Sequence, residues 1–219
     1  MEKIDVSQIT FRAARQSDAL EHFRAVQESY AEASEFLPDF EGMEKWTVAQ
    51  HKTYLTKFGA DSRTHKNYLF FYGDKIVGGG YLGPSAWEYS GELMYWVRSG
   101  WDGVGIGLFI AQTMLKSAYQ NFGYRYLIIQ TDRNNIGSKK VAEKLGAWVG
   151  SIIGYRTHRG EDSNMIIWVK ETPFTAIAKR YDQSYEWNPF HKNGTVFRID
   201  YENKQTQYMQ HDLDRVRKK

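Results

Sequence analysis

Apolar positions along the chain recur first at every second residue and then at every third or fourth, and this change of period predicts alternating strands and helices. Ile9 to Arg12 reads as a short strand. Ser17-Asp18 offers a helix cap ahead of Leu20, Phe23, Val26 and Tyr30, which recur at helical spacing. Pro38 disfavours helix just before it, and Thr47 can cap a second helix carrying Val48, His51, Tyr54, Leu55 and Phe58. Asn67 to Tyr72 and Lys75 to Leu82 predict a hairpin turning at Gly73-Asp74, and Glu92 to Val97 extends it into a meander. Beyond Gly103 to Gly107, the residues Leu108, Ile110, Ala111, Met114, Leu115 and Ala118 hold a helical period that Gly123 ends. Tyr126 to Thr131 predicts a strand, Ser138 to Leu145 a helix stopped by Gly146, and Trp148 to Tyr155 with Asn164 to Val169 a last strand pair.

Composition places this pattern in a folded globular chain. Of 219 residues, 42% are hydrophobic and 25% charged, enough for a sizeable core. The net charge of +3 is too small to mark a nucleic-acid protein, and the basic end (Arg215, Arg217, Lys218, Lys219) reads as a solvated tail. The longest apolar runs, Tyr68 to Tyr72 and Met165 to Val169, are far shorter than the roughly 20 residues that span a bilayer, so no membrane association is expected. The start of the chain alternates acidic and basic residues where an export signal needs an apolar stretch. With no cysteine, disulfides, thiolate metal sites and cysteine nucleophiles are excluded, and a cytoplasmic location is expected. The histidines show no pairing at metal-ligand spacing, so no metal is expected and each reads as a surface or core residue. Thr172-Pro173 marks a boundary between a domain over residues 1–170 and an extension over 171–219, whose many aromatics predict that it packs on the domain or on a partner subunit.

The segment Gly103-Val104-Gly105-Ile106-Gly107 lies between a strand and a helix, where free backbone N–H groups and the positive end of a helix dipole can meet an anion such as a pyrophosphate. It lacks the Gly-Lys-Ser/Thr of a P-loop. The dinucleotide fingerprint fails too, because Ile110 stands where glycine or alanine belongs and the strands before it form a meander. A plain glycine turn before an ordinary helix remains the alternative.

Three segments carry a resemblance to a known family. The first is Thr10-Phe11-Arg12 with Asp18-Ala19 and Phe36-Leu37-Pro38. The second is Gly91-Glu92-Leu93-Met94-Tyr95-Trp96-Val97 running into Trp101-Asp102-Gly103-Val104-Gly105-Ile106-Gly107. The third is Asn135-Ile136-Gly137-Ser138, with Lys144-Leu145-Gly146 closing the helix. From Ile9 to about Lys170 the chain resembles the ribosomal-protein alanine/serine N-terminal acetyltransferases of the GCN5-related N-acetyltransferase (GNAT) superfamily. Asp102 departs from that pattern, which usually has Gln or Arg there, and Ala147 stands where Phe is common; Asp102 is expected to turn to solvent, away from a pyrophosphate that would repel it.

The resemblance implies an α+β fold: a mixed, mostly antiparallel twisted sheet of six to seven strands flanked by about four helices, with the fourth and fifth strands splayed apart. It implies acetyl-CoA as cofactor, held by Tyr95, Trp96 and Val97 on the fourth strand, by Gly103, Val104, Gly105, Ile106, Gly107 and Leu108 at the glycine turn, and by Asn135 and Ser138. It makes Glu92 the base that takes the amine proton and Ser138 the group that protonates the departing thiolate. The alternatives for these residues are a solvated strand glutamate and ordinary helix caps. Asp39, Phe40 and Trp46 fall in the segment that lines the substrate groove in related enzymes, where aromatic residues equally serve a core. The acceptor implied is a protein or peptide N-terminus. At pH 7 an α-amine of pKa about 8 is roughly a tenth neutral, whereas lysine at about 10.4 is below one in a thousand. A small amine such as a polyamine or antibiotic, a module that binds CoA without catalysis, and assembly as a homodimer stay open.

Overall fold

A computed structural model describes residues 4–59, 66–85, 87, 90–157 and 160–173. Its elements are β1 (Thr10–Ala13), α1 (Ala19–Phe36), α2 (Val48–Gly59), β2 (Lys66–Tyr72), β3 (Lys75–Pro84), β4 (Ser90–Val97), α3 (Ile106–Phe122), β5 (Tyr126–Asp132), α4 (Ile136–Lys144), β6 (Trp148–Arg156) and β7 (Asp162–Glu171). Short 3-10 turns at Val6–Gln8, Gln16–Asp18, Pro38–Phe40 and Met43–Lys45 join the early elements. The seven strands form one sheet in the order β1-β2-β3-β4-β5-β7-β6, antiparallel except where β4 meets β5. The expected mixed, mostly antiparallel α+β sheet is therefore present, with four α-helices among the described residues. Of the predicted extension, residues 171–219, all beyond 173 lie outside them.

Alternation of side chains along the strands sends β2 to β5 into two different cores. On one face Tyr68, Phe70, Leu82, Leu93, Leu127 and Ile129 pack against Ile106, Ile110, Ala111, Met114 and Ala118 of α3 and Ala142 of α4. On the other, Leu69 and Ile76 meet Ala19 and Ala25 of α1 and Leu55 of α2. Ile110 and Met114 are fully buried, and each such side chain contributes about 1.5–3 kcal/mol by leaving water. The glycine turn is thereby held at a fixed height beside β4, because α3 springs from it.

The α1 face differs from its periodic reading. Val26 is buried, but Leu20 is 49% exposed, and the inward residues are Ala19, His22, Ala25, Val26 and Ser29. Small and polar side chains face inward, and His22 and Ser29 each find a distant partner. Ser29 Oγ donates to Ala25 O and accepts from Ser99 N, and His22 meets His51 of α2 with their Nδ1 atoms 2.9 Å apart. Burial pushes the His22 imidazole down to about 3, helped by its neighbour, and lowers His51 as well. Spacing along the chain does not reveal that pair, whose members stand 29 positions apart. Asp18 precedes α1 without capping it: its carboxylate binds Arg12 in a two-pronged pair and accepts from Arg15 N. Arg98, just past β4, is buried and donates to Glu28, Glu21 and Ile76 O at 2.6–2.9 Å, tying the end of β4 to α1.

Candidate active site

β4 and β5 pair only from Ser90 to Leu93 against Tyr126 to Ile129. Past Leu93 the two strands part, leaving the β5-facing backbone edge of Met94 to Val97 without a strand partner and opening a cleft of about 2530 Å³. The alternation in β4 assigns this cleft two ends. Tyr95 and Val97 share the α3/α4 face with Leu93, while Glu92, Met94 and Trp96 share the α1/α2 face.

At the α3/α4 end stands the glycine turn. Gly103 and Gly105 have φ of 76° and 99°, left-handed values that side chains resist, and Gly105 is the N-cap of α3. The first amide to donate across the cap is that of Phe109, to Gly105 O at 3.0 Å, so the N–H groups of Ile106, Gly107 and Leu108 keep the free donors of a helix start. Gly103, Gly105, Gly107 and Leu108 line the cleft. Val104 is 43% exposed and Ile106 is buried in the core, so these two can serve a ligand only through their main chain. Asp102 is exposed and borders the cleft beside Gly103. On α4, Asn135 Oδ1 accepts from Ser138 N at 2.9 Å, which makes Asn135 a helix cap, and α4 begins at Ile136 instead of Ser138. Ser138 Oγ lies 3.1 Å from the Tyr95 hydroxyl, whose pKa burial pushes up to about 12 while the serine contact acts the other way. A run of free amides with the positive end of a helix dipole, beside an unpaired strand edge, fits an extended ligand carrying phosphate at one end.

At the α1/α2 end, Glu92 Oε1 accepts from Gln130 Nε2 at 2.7 Å. Burial raises the Glu92 carboxyl above the usual carboxylate range, the Gln130 bond opposes this, and the Asp39 charge adds to the rise. Tyr81 leans over Gly83, where a Cβ would come within 2.3 Å of its hydroxyl, and Gly83 is the register partner of Glu92. That phenol is raised by burial and then by Glu92 and Asp39. Asp39 is exposed at the mouth, Phe40 is buried against Trp96 with ring centroids 5.5 Å apart, and Trp46 packs on His51 and Tyr54. Of that groove segment, Asp39 and Glu41 border the cleft as exposed charges, Phe40 lines it while packing in a core, and Trp46 belongs to the core. The Trp96 side chain does likewise, so only its main chain is open to the splayed edge.

An acetyltransferase (GNAT) domain matches residues 8–147. The chain belongs to the GNAT family. It is an acetyltransferase, and the donor that this family uses is acetyl-CoA. No curated protein matches the GNAT chain in sequence. Among solved structures it resembles RimL, the ribosomal L7/L12 alpha-N-protein acetyltransferase in complex with coenzyme A, at 15% identity and TM-score 0.67, over 75% of this chain and 94% of that one. It also resembles the microcin C7 self-immunity acetyltransferase MccE with acetyl-CoA and AMP (14% identity, TM-score 0.66, 78% and 97% covered). A third is the ribosomal-protein-S5-alanine acetyltransferase of Vibrio fischeri (14%, TM-score 0.61, 78% and 96%). At these identities the likeness establishes the GNAT fold.

Reading the sequence missed Asn67, Tyr81 and Gln130, all of which line the cleft. Two of them leave a faint trace. Tyr81 precedes Gly83 by two, which puts ring and glycine on one strand face, and Gln130 is the amide that follows the apolar run from Tyr126 to Ile129.

Proposed function

We propose that this GNAT enzyme acetylates a primary amine that enters from the α1/α2 side, with a protein N-terminal α-amine of the ribosomal-protein kind as the leading acceptor. The observation that carries the proposal is the split of β4 from β5, with a phosphate-sized cradle on one side and a partly desolvated carboxylate on the other.

In this reading the amides of Gly103 to Leu108 hold the pyrophosphate of acetyl-CoA, the free edge of Tyr95 to Val97 pairs with its arm, and Asn135 and Ser138 border the arm from α4. When bound, acetyl-CoA supplies an acetyl group activated as a thioester. Glu92 takes the proton of the incoming ammonium at its carboxylate, directly or through a water, and Gln130 fixes the orientation of that carboxylate. A raised pKa suits this work, since a base poised closer to neutrality accepts a proton more readily and can still release it. Ser138 Oγ, in contact with the Tyr95 hydroxyl, stores a proton on the opposite face for the leaving sulfur. The exposed carboxylate of Asp39 draws a cationic amine toward the mouth.

A small-molecule amine is the second reading, favoured by the acidic side chains of Glu32, Glu35 and Asp39 lining that end of the cleft. The cytoplasm is the proposed location, and residues 1–170 and 171–219 the proposed division of the chain; deleting 172–219 and measuring acceptor kinetics and solution mass tests the role of the second part. Thiol release from acetyl-CoA with a panel of N-terminal peptides, diamines and aminoglycosides tests the function. Turnover with α-amines above the others supports the main reading, and binding of CoA without any turnover refutes catalysis.

A further inference from the structure

Five buried side-chain polar atoms lack a hydrogen-bond partner among the described residues: Glu44 Oε2, His51 Nε2, Asn67 Nδ2, Trp148 Nε1 and Ser151 Oγ. Of the five residues, Asn67 alone lines the cleft, and it is 7% exposed. A buried amide donor nearly always has a partner, and one left open in a ligand cleft points to a ligand oxygen.

Register fixes where this donor stands. Asn67 of β2 is opposite Tyr81 of β3, and Tyr81 is opposite Met94 of β4, so all three share the face that carries Glu92. Two strand spacings sideways and two residues along place the Asn67 and Glu92 backbones about 12 Å apart. Both side chains line the cleft, so a short ligand can reach hydrogen bonds at both ends. The ends have opposite character. Glu92 and the Asp39 charge at the mouth favour a nitrogen cation, while the Asn67 N–H favours a neutral oxygen acceptor. Tyr54 borders the same space, its phenol pushed up to about 12 by burial and the Asp39 charge, with the Asn67 amide acting in the opposite direction.

We propose that Asn67 is a specificity-determining residue: its side-chain amide donates to a carbonyl oxygen borne next to the reacting amine, so the site selects α-amino carbonyl acceptors over plain alkylamines. This rests on the acceptor reading above and narrows its substrate class. A polyamine places only nitrogen donors near Asn67 and leaves the amide unmatched. An N-terminal residue and a free amino-acid amide share the required chemistry, with nitrogen and carbonyl oxygen on adjacent carbons.

The test compares kcat/KM for L-alaninamide and isopropylamine in the wild type and in Asn67→Leu, which is close in size and has no donor. Taking the ratio of the two amines within each protein and comparing it between proteins cancels their different basicities. Loss of one hydrogen bond to a neutral acceptor is expected to lower the alaninamide preference about tenfold. The melting temperature of Asn67→Leu should fall little, because Asn67 Nδ2 has no hydrogen-bond partner of good geometry and only its influence on the Tyr54 phenol is lost. Asn67→Asp, which also lacks an N–H donor, should show the same loss of preference and covers the case in which the leucine variant does not fold. An unchanged ratio, or a lower melting temperature with equal losses for both amines, overturns the inference and assigns Asn67 a structural role toward Tyr54. Absence of turnover with either amine, while coenzyme A still binds, refutes the acceptor reading itself and this inference with it. Trialanine amide separates the sources: acceptance beside alaninamide assigns the site to chain ends, and acceptance of alaninamide alone assigns it to free amino-acid amides.

Discussion

Replacing Glu92 by glutamine probes the chemistry with the least disturbance of the fold. The amide is isosteric with the carboxylate and can still accept from Gln130 Nε2, now 2.7 Å from Glu92 Oε1, so the side chain keeps its place. What is lost is the proton acceptor. General-base assistance is worth about 10²- to 10⁴-fold, or about 2.7–5.4 kcal/mol of barrier, and kcat should fall within that range. Cofactor affinity should hold within twofold, because Glu92 points to the α1/α2 face while the glycine turn lies at the other end of the cleft. Stability should not drop. The folded carboxyl is raised above its ordinary 4.5, so the stability held by its protonated form is lost as pH rises through the folded value, and at neutral pH the wild type keeps a partly desolvated anion that the variant lacks. Thiol-release kinetics, titration with coenzyme A and thermal melts at pH 7.5 provide the three readouts. The Glu92 part of the acidic limb of kcat/KM against pH should vanish in the variant, leaving the limb set by ionisation of the amine itself near pH 8. A kcat within threefold of wild type, or a loss of activity matched by a loss of CoA affinity, refutes the assignment of Glu92 as base.

Ser138→Ala and Tyr95→Phe remove the two ends of one 3.1 Å contact, so their kinetic losses should be coupled: the double variant should be no slower than the worse single one, and additive losses contradict a shared proton path. His22 stays neutral when folded down to about pH 3, whereas the unfolded chain protonates below 6.5. Its share of stability is thus intact above pH 6.5 and falls by about 1.4 kcal/mol per pH unit below it, roughly 2 kcal/mol by pH 5. Urea unfolding across that window should show a flatter slope in His22→Gln, and an identical slope contradicts the burial argument. Arg98→Met strands Glu21 and frees Ile76 O. The loss should be about 2–3 kcal/mol in a denaturant midpoint, less than for a fully buried pair because Glu28 is 55% exposed, and a change under about 1 kcal/mol contradicts the anchoring role.

Much of the architecture was legible in local pattern. The hairpin at Gly73-Asp74, the helix that Gly123 ends and the strand from Tyr126 all stand where periodicity and turn chemistry predict them. Local pattern misleads where a distant residue supplies the partner. His22 and Ser29 face inward on α1 because His51 and Ser99 wait for them, 29 and 70 positions along the chain. The inner place of β7, between β5 and β6, is likewise a matter of topology that two adjacent apolar runs do not reveal.

The candidate site divides along the same line. The glycine turn is local, so Gly103 to Leu108 can be found by reading along the chain. Glu92 and Ser138 acquire a role only through the resemblance, since a strand glutamate and a serine at a helix start are otherwise unremarkable. The acceptor end is assembled from four strands and the turn after α1, and Asn67, Tyr81 and Gln130 meet Glu92 there only once the register is known.

The central claim is that bare main chain at residues 103–108 grips the phosphates of the donor, and calorimetric titration with coenzyme A and with pantetheine, which lacks the pyrophosphate, measures this directly. Coenzyme A should bind one-to-one, at least about 100-fold tighter than pantetheine, and about tenfold more weakly in Gly105→Ala, whose φ of 99° an alanine resists by about 1–2 kcal/mol. Equal affinity for the two ligands, or a Gly105→Ala variant that binds as well as wild type, contradicts it.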